Sequence, residues 1–291
     1  MHLDINEYLS VPNMINYQGQ YCGTDSPGKS SCSLRDFKEY PIQDFDYKFN
    51  SWGFRAEDFE QYLGDKVNIC LGDSITVNIG GPVEHSWCSQ LAEHFDIPTL
   101  NLGMSAAGND AIKLVYSRAC DIFDVQNTFV MYSYLHRRLI NGEFICDIHE
   151  DNENFAYFNK QRIPNVIECA LPWCWTDEEK QFLSDSKIYF LDAPYIGWFS
   201  NYHLLDDRKH VVKESYNNLR SPDWPTLKEF VNGADPHPDM LTKQLGQFMS
   251  YRVYANRDGR HNNYDVNKKY ANYLYQQWKQ NNESQKNLTK S

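Results

Sequence analysis

An α/β fold on a parallel sheet is the class this sequence predicts, and three observations carry it. Short apolar runs at 69–71, 98–102 and 128–135 read as strands, being too short and too rich in β-favouring residues for helices. Stretches with helical spacing of their apolar residues separate them. A glycine closes each of the first two runs, at Gly72 and Gly103. The order β-α-β-α-β then implies parallel strands joined by crossover helices.

The elements follow in chain order. Residues 1–64 are rich in turn signals (VPN, SPGKSS, YPIQ) and scattered aromatics, and read as an irregular N-terminal extension packed on the core. The run 69–71 is continuously apolar, as a strand buried on both faces should be. The stretch 86–95 (SWCSQLAEHF) places Trp87, Leu91, His94 and Phe95 at helical spacing. PTLNL at 98–102 is the second strand, and 110–123 is a helix with Ile112, Val115, Ala119 and Ile122 on one face. TFVMYSYL at 128–135 is the third strand, and KIYFL at 187–191 is expected as the fourth. Between 140 and 186 lies a polar and aromatic insertion carrying a short helix. A closing helix over 264–278 puts Tyr270, Leu274 and Trp278 on one side, and 281–291 reads as a frayed polar tail. A main domain over 65–280 results, with no repeats and no long linker.

Composition narrows the function. The chain has 291 residues, 41% of them hydrophobic and 15% aromatic, enough for a substantial core. A net charge of −11 argues against nucleic acid and anionic membranes as partners. Eight cysteines show neither metal-finger spacing nor a dense disulfide pattern, and Cys70 sits within a strand as a small hydrophobe. The opening MHLDINEYLS lacks the features of a signal peptide, and no run has the length of a membrane helix. A cytoplasmic protein with reduced thiols is the expectation. Nothing in the sequence sets the oligomeric state.

Chemistry concentrates after the first strand, in NICLGDSITVNIGG at 68–81. A glycine directly after a buried strand permits a sharp turn, and the next hydroxyl lies at the carboxyl end of the sheet, where open α/β folds place ligands. Ser74 is therefore a candidate nucleophile, although Gly-Asp-Ser is equally an ordinary polar turn. Acyl transfer further needs a base oriented by an acid, and donors for an oxyanion. Asp258 and His261, in RDGRHNNYD before the closing helix, supply the first pair. Asp235 and His237, in GADPHPD, form a second pair of the same kind. Asp258 and His261 are preferred for their spacing and for the helix that follows. Asp235, His237 and Asp239 make a weak metal-ligand set around two prolines, so neither metal nor cofactor is expected. The amides of Ser74 and Gly103 are candidate oxyanion donors.

These motifs resemble the SGNH/GDSL hydrolases. The first block matches as Gly72-Asp73-Ser74, with Ile75 in place of the name-giving leucine, preceded by FNSWGFRAEDF at 49–59. The second block matches as NLGMSAAGND at 101–110, with Gly103 in the position of the oxyanion glycine, and the last as Asp258 and His261. The resemblance covers roughly 49–280 and implies a flavodoxin-like three-layer α/β/α sandwich. It departs at the third block: the family's Gly-x-Asn-Asp is absent, and the third strand runs into YSYLHRR at 132–138. Asn109 could supply the missing donor from a neighbouring loop, and is equally suited to cap a helix. His136 and Arg137 either line a pocket for a polar or anionic group or form a solvated strand end.

The expected activity is that of a cofactor-independent serine esterase cleaving a carboxylic ester, of short acyl chain or on a carbohydrate, through an acyl-enzyme. A non-catalytic glycan- or protein-binding module and an acyltransferase on the same fold stay open beside it.

Overall fold

The computed structural model describes residues 9–26, 45–135, 137–141, 143–146, 151–170, 177–190 and 264–288. A two-residue antiparallel ribbon, β1 (Gln18–Gly19) with β2 (Tyr47–Lys48), precedes the main sheet. The core then runs β3 (Lys66–Gly72), α1 (Ser74–Val77), α2 (Trp87–Ala92), β4 (Thr99–Gly103), α3 (Asn109–Ile122) and β5 (Asp124–Tyr132). A hairpin of β6 (Arg137–Ile140) and β7 (Glu143–Cys146) follows, then α4 (Asp151–Gln161), β8 (Ile167–Ala170), α5 (Asp177–Asp185) and α6 (Tyr264–Leu288). The main sheet has the order β4-β3-β5-β8, and every pairing in it is parallel. β3 is an inner strand, so the turn at its carboxyl end lies between the ends of two neighbours.

Alternation along the strands divides the core into two faces, as a period of two requires. Val67, Ile69, Leu71, Val130 and Tyr132 point to the side of α3, α4 and α5, where they meet Ile112, Val115, Phe158 and Leu183. Cys70, Phe129, Met131 and Cys169 point the other way, to Trp87 and Leu91 of α2 and Tyr270 and Leu274 of α6. Helices thus cover both faces, which is the expected three-layer α/β/α architecture. Leu9, Val11, Phe54 and Phe59, from the segment before β3, join the first face.

A polar ladder anchors α6 to its face of the sheet. Asn127 Nδ2 donates to Asn68 Oδ1 at 2.7 Å, and Trp278 Nε1 donates to Asn127 Oδ1 at 2.9 Å. The Tyr270 hydroxyl, on a fully buried side chain, donates to the Ala170 carbonyl at 3.1 Å. These polar groups, covered by the helix, thereby keep partners.

Most elements differ from the sequence reading by a few residues at their ends, as α2 does in stopping at Ala92, and three differences matter for the sheet and its last helix. The third strand begins at Asp124 and stops at Tyr132, because Ser133 is drawn into side-chain bonds described below. The fourth strand of the described sheet is Ile167–Ala170, inside the stretch read as an insertion; of the run read at 187–191, residues 187–190 are described, and Tyr189 there bridges Cys169 in parallel. Lys187 follows α5 in the left-handed region (φ 57°), and the Ile188 amide closes back on the Leu183 carbonyl at 2.9 Å. Lys187 and Ile188 thus cap the end of α5, and Tyr189 then meets the sheet beside β8, its carbonyl accepting the Ala170 amide at 2.8 Å. Finally, α6 continues to Leu288, so 281–288, read as part of a frayed tail, is helical.

Candidate active site

The turn after β3 is set by close packing. A Cβ on Gly72 would stand 2.9 Å from the Met131 carbonyl oxygen, so any side chain would push β3 and β5 apart. Asp73 caps α1, its Oδ1 accepting the Ile75 amide at 3.0 Å. Ser74 is the first residue of that helix and is 8% exposed. Among the described residues nothing bonds its hydroxyl. The helix ends after one turn because Asn78 adopts φ 60° and turns its amide back toward the Ile75 carbonyl at 3.0 Å.

Side chains from several elements hold this turn from outside, Arg55 among them, its Nη1 donating to the Val77 and Asn78 carbonyls at 3.2 and 2.6 Å. The Tyr47 hydroxyl donates to Asp25 Oδ2 at 2.6 Å and accepts the Gly80 amide at 2.7 Å, fixing the chain just after α1. Burial pushes the Tyr47 phenol far above its ordinary value and the neighbouring Cys22 thiol up to about 11. On the other side, Asn267 Nδ2 of α6 donates to Asn78 Oδ1 at 3.0 Å and to the His85 carbonyl at 2.9 Å. Cys70, beneath the turn, is likewise held well above the ordinary thiol range by burial, which keeps it neutral and inert.

Gly103 closes β4 in register with Gly72. A Cβ there would lie 2.7 Å from the Val77 amide nitrogen, so glycine is what lets α1 lie across the end of β4. Its own amide donates to Asn101 Oδ1 at 2.9 Å, while Asn101 Nδ2 donates to the Thr76 carbonyl at 2.8 Å. The Gly103 donor is therefore engaged. The loop beyond it turns at Met104–Ala107, with Ala107 donating to the Met104 carbonyl at 3.2 Å and Ala106 at φ 67°. Among the described residues, the amides of Ser74, Ser105, Ala106 and Gly108 donate to nothing.

Asn109 is the first residue of α3, and Gly108 occupies the cap position. Asn109 Oδ1 accepts the Ser133 amide at 2.8 Å, and its Nδ2 donates to the Ser133 and Tyr134 carbonyls at 3.1 and 3.3 Å. The side-chain amide is thus directed at the chain leaving β5. Asp110 continues the clasp, its Oδ2 accepting from the Leu139 amide at 2.6 Å and the Tyr157 hydroxyl at 2.7 Å. Ser74, Gly103 and Asn109 accordingly converge at the carboxyl ends of β3, β4 and β5. Asp258, His261, Asp235, His237 and His136 lie outside the described residues.

Sequence reasoning missed the partner of Asp73. Its Oδ2 accepts from Ser133 Oγ at 2.9 Å and from Arg137 Nη1 at 2.7 Å, and Arg137 Nη1 also donates to Ser133 Oγ at 3.0 Å. The Asp73 side chain is 1% exposed and that of Arg137 17%, so Arg137 is no solvated strand end. One signal could have found it: an aspartate buried between a strand and a helix needs a cation or several donors. Elsewhere, a cavity of about 420 Å³ runs along edge strand β4 beside Arg55, Asp58, Ser89 and Asn101, away from Ser74. Among the described residues no cluster of His, Cys, Asp and Glu could hold a metal ion, and no helix is long and apolar enough to cross a membrane.

No family model matches this sequence, and neither does any curated protein. Solved structures to which this chain is similar include a protein assigned to the G-D-S-L lipolytic family from Desulfitobacterium hafniense, 16% identical, with a TM-score of 0.28 over 43% of this chain and 75% of that one. A psychrotrophic esterase from Pseudoalteromonas sp. is 10% identical, with a TM-score of 0.31 over 74% of this chain and 97% of that one. A member of the G-D-S-L lipolytic family from Veillonella parvula is 9% identical, with a TM-score of 0.29 over 65% of this chain and 98% of that one.

Proposed function

We propose that this protein is a serine esterase with Ser74 as nucleophile. The observation that carries the reading is the setting of Ser74: first residue of a helix, at the carboxyl end of an inner strand, with a hydroxyl that nothing among the described residues bonds. Ser74 Oγ attacks the ester carbonyl while His261, oriented by Asp258, takes its proton and returns it to the leaving alcohol. Water then cleaves the acyl-enzyme by the reverse proton path.

The tether at Asn267 supports His261 over His237 as the base. Asn267 is bonded to Asn78, at the end of the nucleophile helix, and His261 lies only six residues before it in the chain. Six residues span at most about 20 Å, a reach that suits a partner for Ser74. For the oxyanion, the Ser74 amide is joined by open amides of the loop at 105–108, because Gly103 and Asn109 have their donors engaged. Those two residues act by shaping the loops.

The test is labelling with a fluorophosphonate probe, located by mass spectrometry, beside turnover of a short-chain ester. Modification at Ser74, lost in Ser74→Ala and His261→Ala but kept in His237→Ala, is the expected result. A folded wild type that takes no label and turns over no ester overturns the reading.

A further inference from the structure

Arg162 and Arg137 both pair with a carboxylate beside the sheet, yet they use their guanidinium groups differently. Arg162 grips Glu168 through Nε and Nη2, the planar edge that matches a carboxylate. Arg137 meets Asp73 through Nη1 alone, and that same nitrogen also serves Ser133 Oγ. Among the described residues nothing bonds Arg137 Nε or Nη2. The Tyr134 ring packs on the guanidinium, its centroid 4.5 Å from Cζ, and fixes its position. An arginine needed only to neutralise Asp73 would gain from the two-pronged grip that Arg162 makes. Arg137 instead keeps its fork for something else, at 17% exposure, on a partner that directly precedes Ser74 in the chain.

We infer that the open edge of Arg137 binds a carboxylate on the substrate, so that this site hydrolyses esters carrying a carboxylate near the scissile bond. The inference rests on the esterase reading. Asp73 orients the guanidinium, Tyr134 covers it, and Nε with Nη2 donate to a planar anion as a fork. The net charge of −11 makes such a local cation necessary, because an anionic substrate meets a protein that is repulsive on balance.

The test compares kcat/KM for p-nitrophenyl hemisuccinate against p-nitrophenyl butyrate, and for p-acetoxybenzoate against its methyl ester. These pairs place the carboxylate in the acyl part or in the alcohol. Wild type is expected to prefer the charged member of one pair. That preference should fall about tenfold to a hundredfold in Arg137→Lys, which keeps the charge but loses the fork, the usual worth of a charge-assisted pair of hydrogen bonds. No preference in wild type, or an unchanged ratio in both Arg137→Lys and Arg137→Gln, overturns it. Calorimetric binding of monomethyl succinate to Ser74→Ala protein, with and without Arg137→Lys, separates the two readings. Binding lost with Arg137→Lys in a protein that neither labels nor turns over keeps the carboxylate site and removes the esterase. Labelling and turnover with binding and ratios unchanged do the reverse.

Discussion

The turns that end β3 and β4 lie side by side, yet they are held by opposite means. After β3, side chains fix the chain: Asp73 takes three donors, from Ile75, Ser133 and Arg137, and the last two are also bonded to each other. After β4, the loop turns on its backbone, with Ala106 at φ 67° and several amides open. Side-chain bonds at the first turn hold Ser74 in one direction without enlisting its hydroxyl. At the second turn the amides of Ser105, Ala106 and Gly108 stay open among the described residues. In the proposed esterase a nucleophile must be aimed and a charge received, and the two turns divide these tasks.

Breaking the first turn should have the largest effect. Asp73→Ala leaves Arg137 without its buried counter-ion and α1 without its cap, and should cost about 3–5 kcal/mol in urea unfolding. Alkaline pH attacks the same turn through its tethers. Cys22 in the folded protein titrates at about 11, above its ordinary 9, and Tyr47 is raised above its own ordinary value. The folded state therefore holds protons that the unfolded chain releases. The Cys22 contribution is complete below pH 9 and is lost as pH climbs through 11, while that of Tyr47 begins to decline only above its ordinary 10, each by up to about 1.4 kcal/mol per pH unit. A pH series of urea midpoints that stays level from about 8 to 11 would contradict it. Gly103→Ala forces a methyl against the Val77 amide and should cost about 2–3 kcal/mol, since backbone stands in the way. Asn109→Ala orphans the buried Ser133 amide and should cost about 2 kcal/mol, with Arg137-dependent selectivity blurred as the β5 loop loosens. The smallest effect has the opposite sign. Ala106→Gly relieves a left-handed alanine and should raise stability by about 0.5–1 kcal/mol; a loss there would mean that the methyl packs usefully.

Much of this arrangement was legible because it depends on periodicity. The strand at 69–71 and the helix at 110–123 each advertise one consistent spacing, and the structure differs from them by a few residues at the ends. Gly72 and Gly103 were legible too, since a glycine directly behind a buried strand marks a place where another backbone comes close. The fourth strand was hidden because Ile167–Ala170 contains Glu168, whose charge is answered by Arg162 and leaves no apolar run to see. Arg137 and Asn109 escape a local reading for a related cause. Their roles come from partners 64 and 24 residues away, which no short pattern encodes. Side-chain bonds between loops belong to the three-dimensional fold and emerge only when the strand ends are brought together.

The bond from Asn267 to Asn78 spans 189 residues of sequence. Closing a loop of that length costs about 5 kcal/mol of chain entropy before any contact repays it. During synthesis, β3 and the turn bearing Ser74 leave the ribosome long before α6 exists to cover Cys70, Phe129 and Met131. Until then α6 leaves its side of the sheet uncovered, and a closure of such long range is of the kind that slows folding and invites association between chains. The tether on Asn78 forms only when α6 arrives, so a helix made long after the serine's own turn fixes the end of α1.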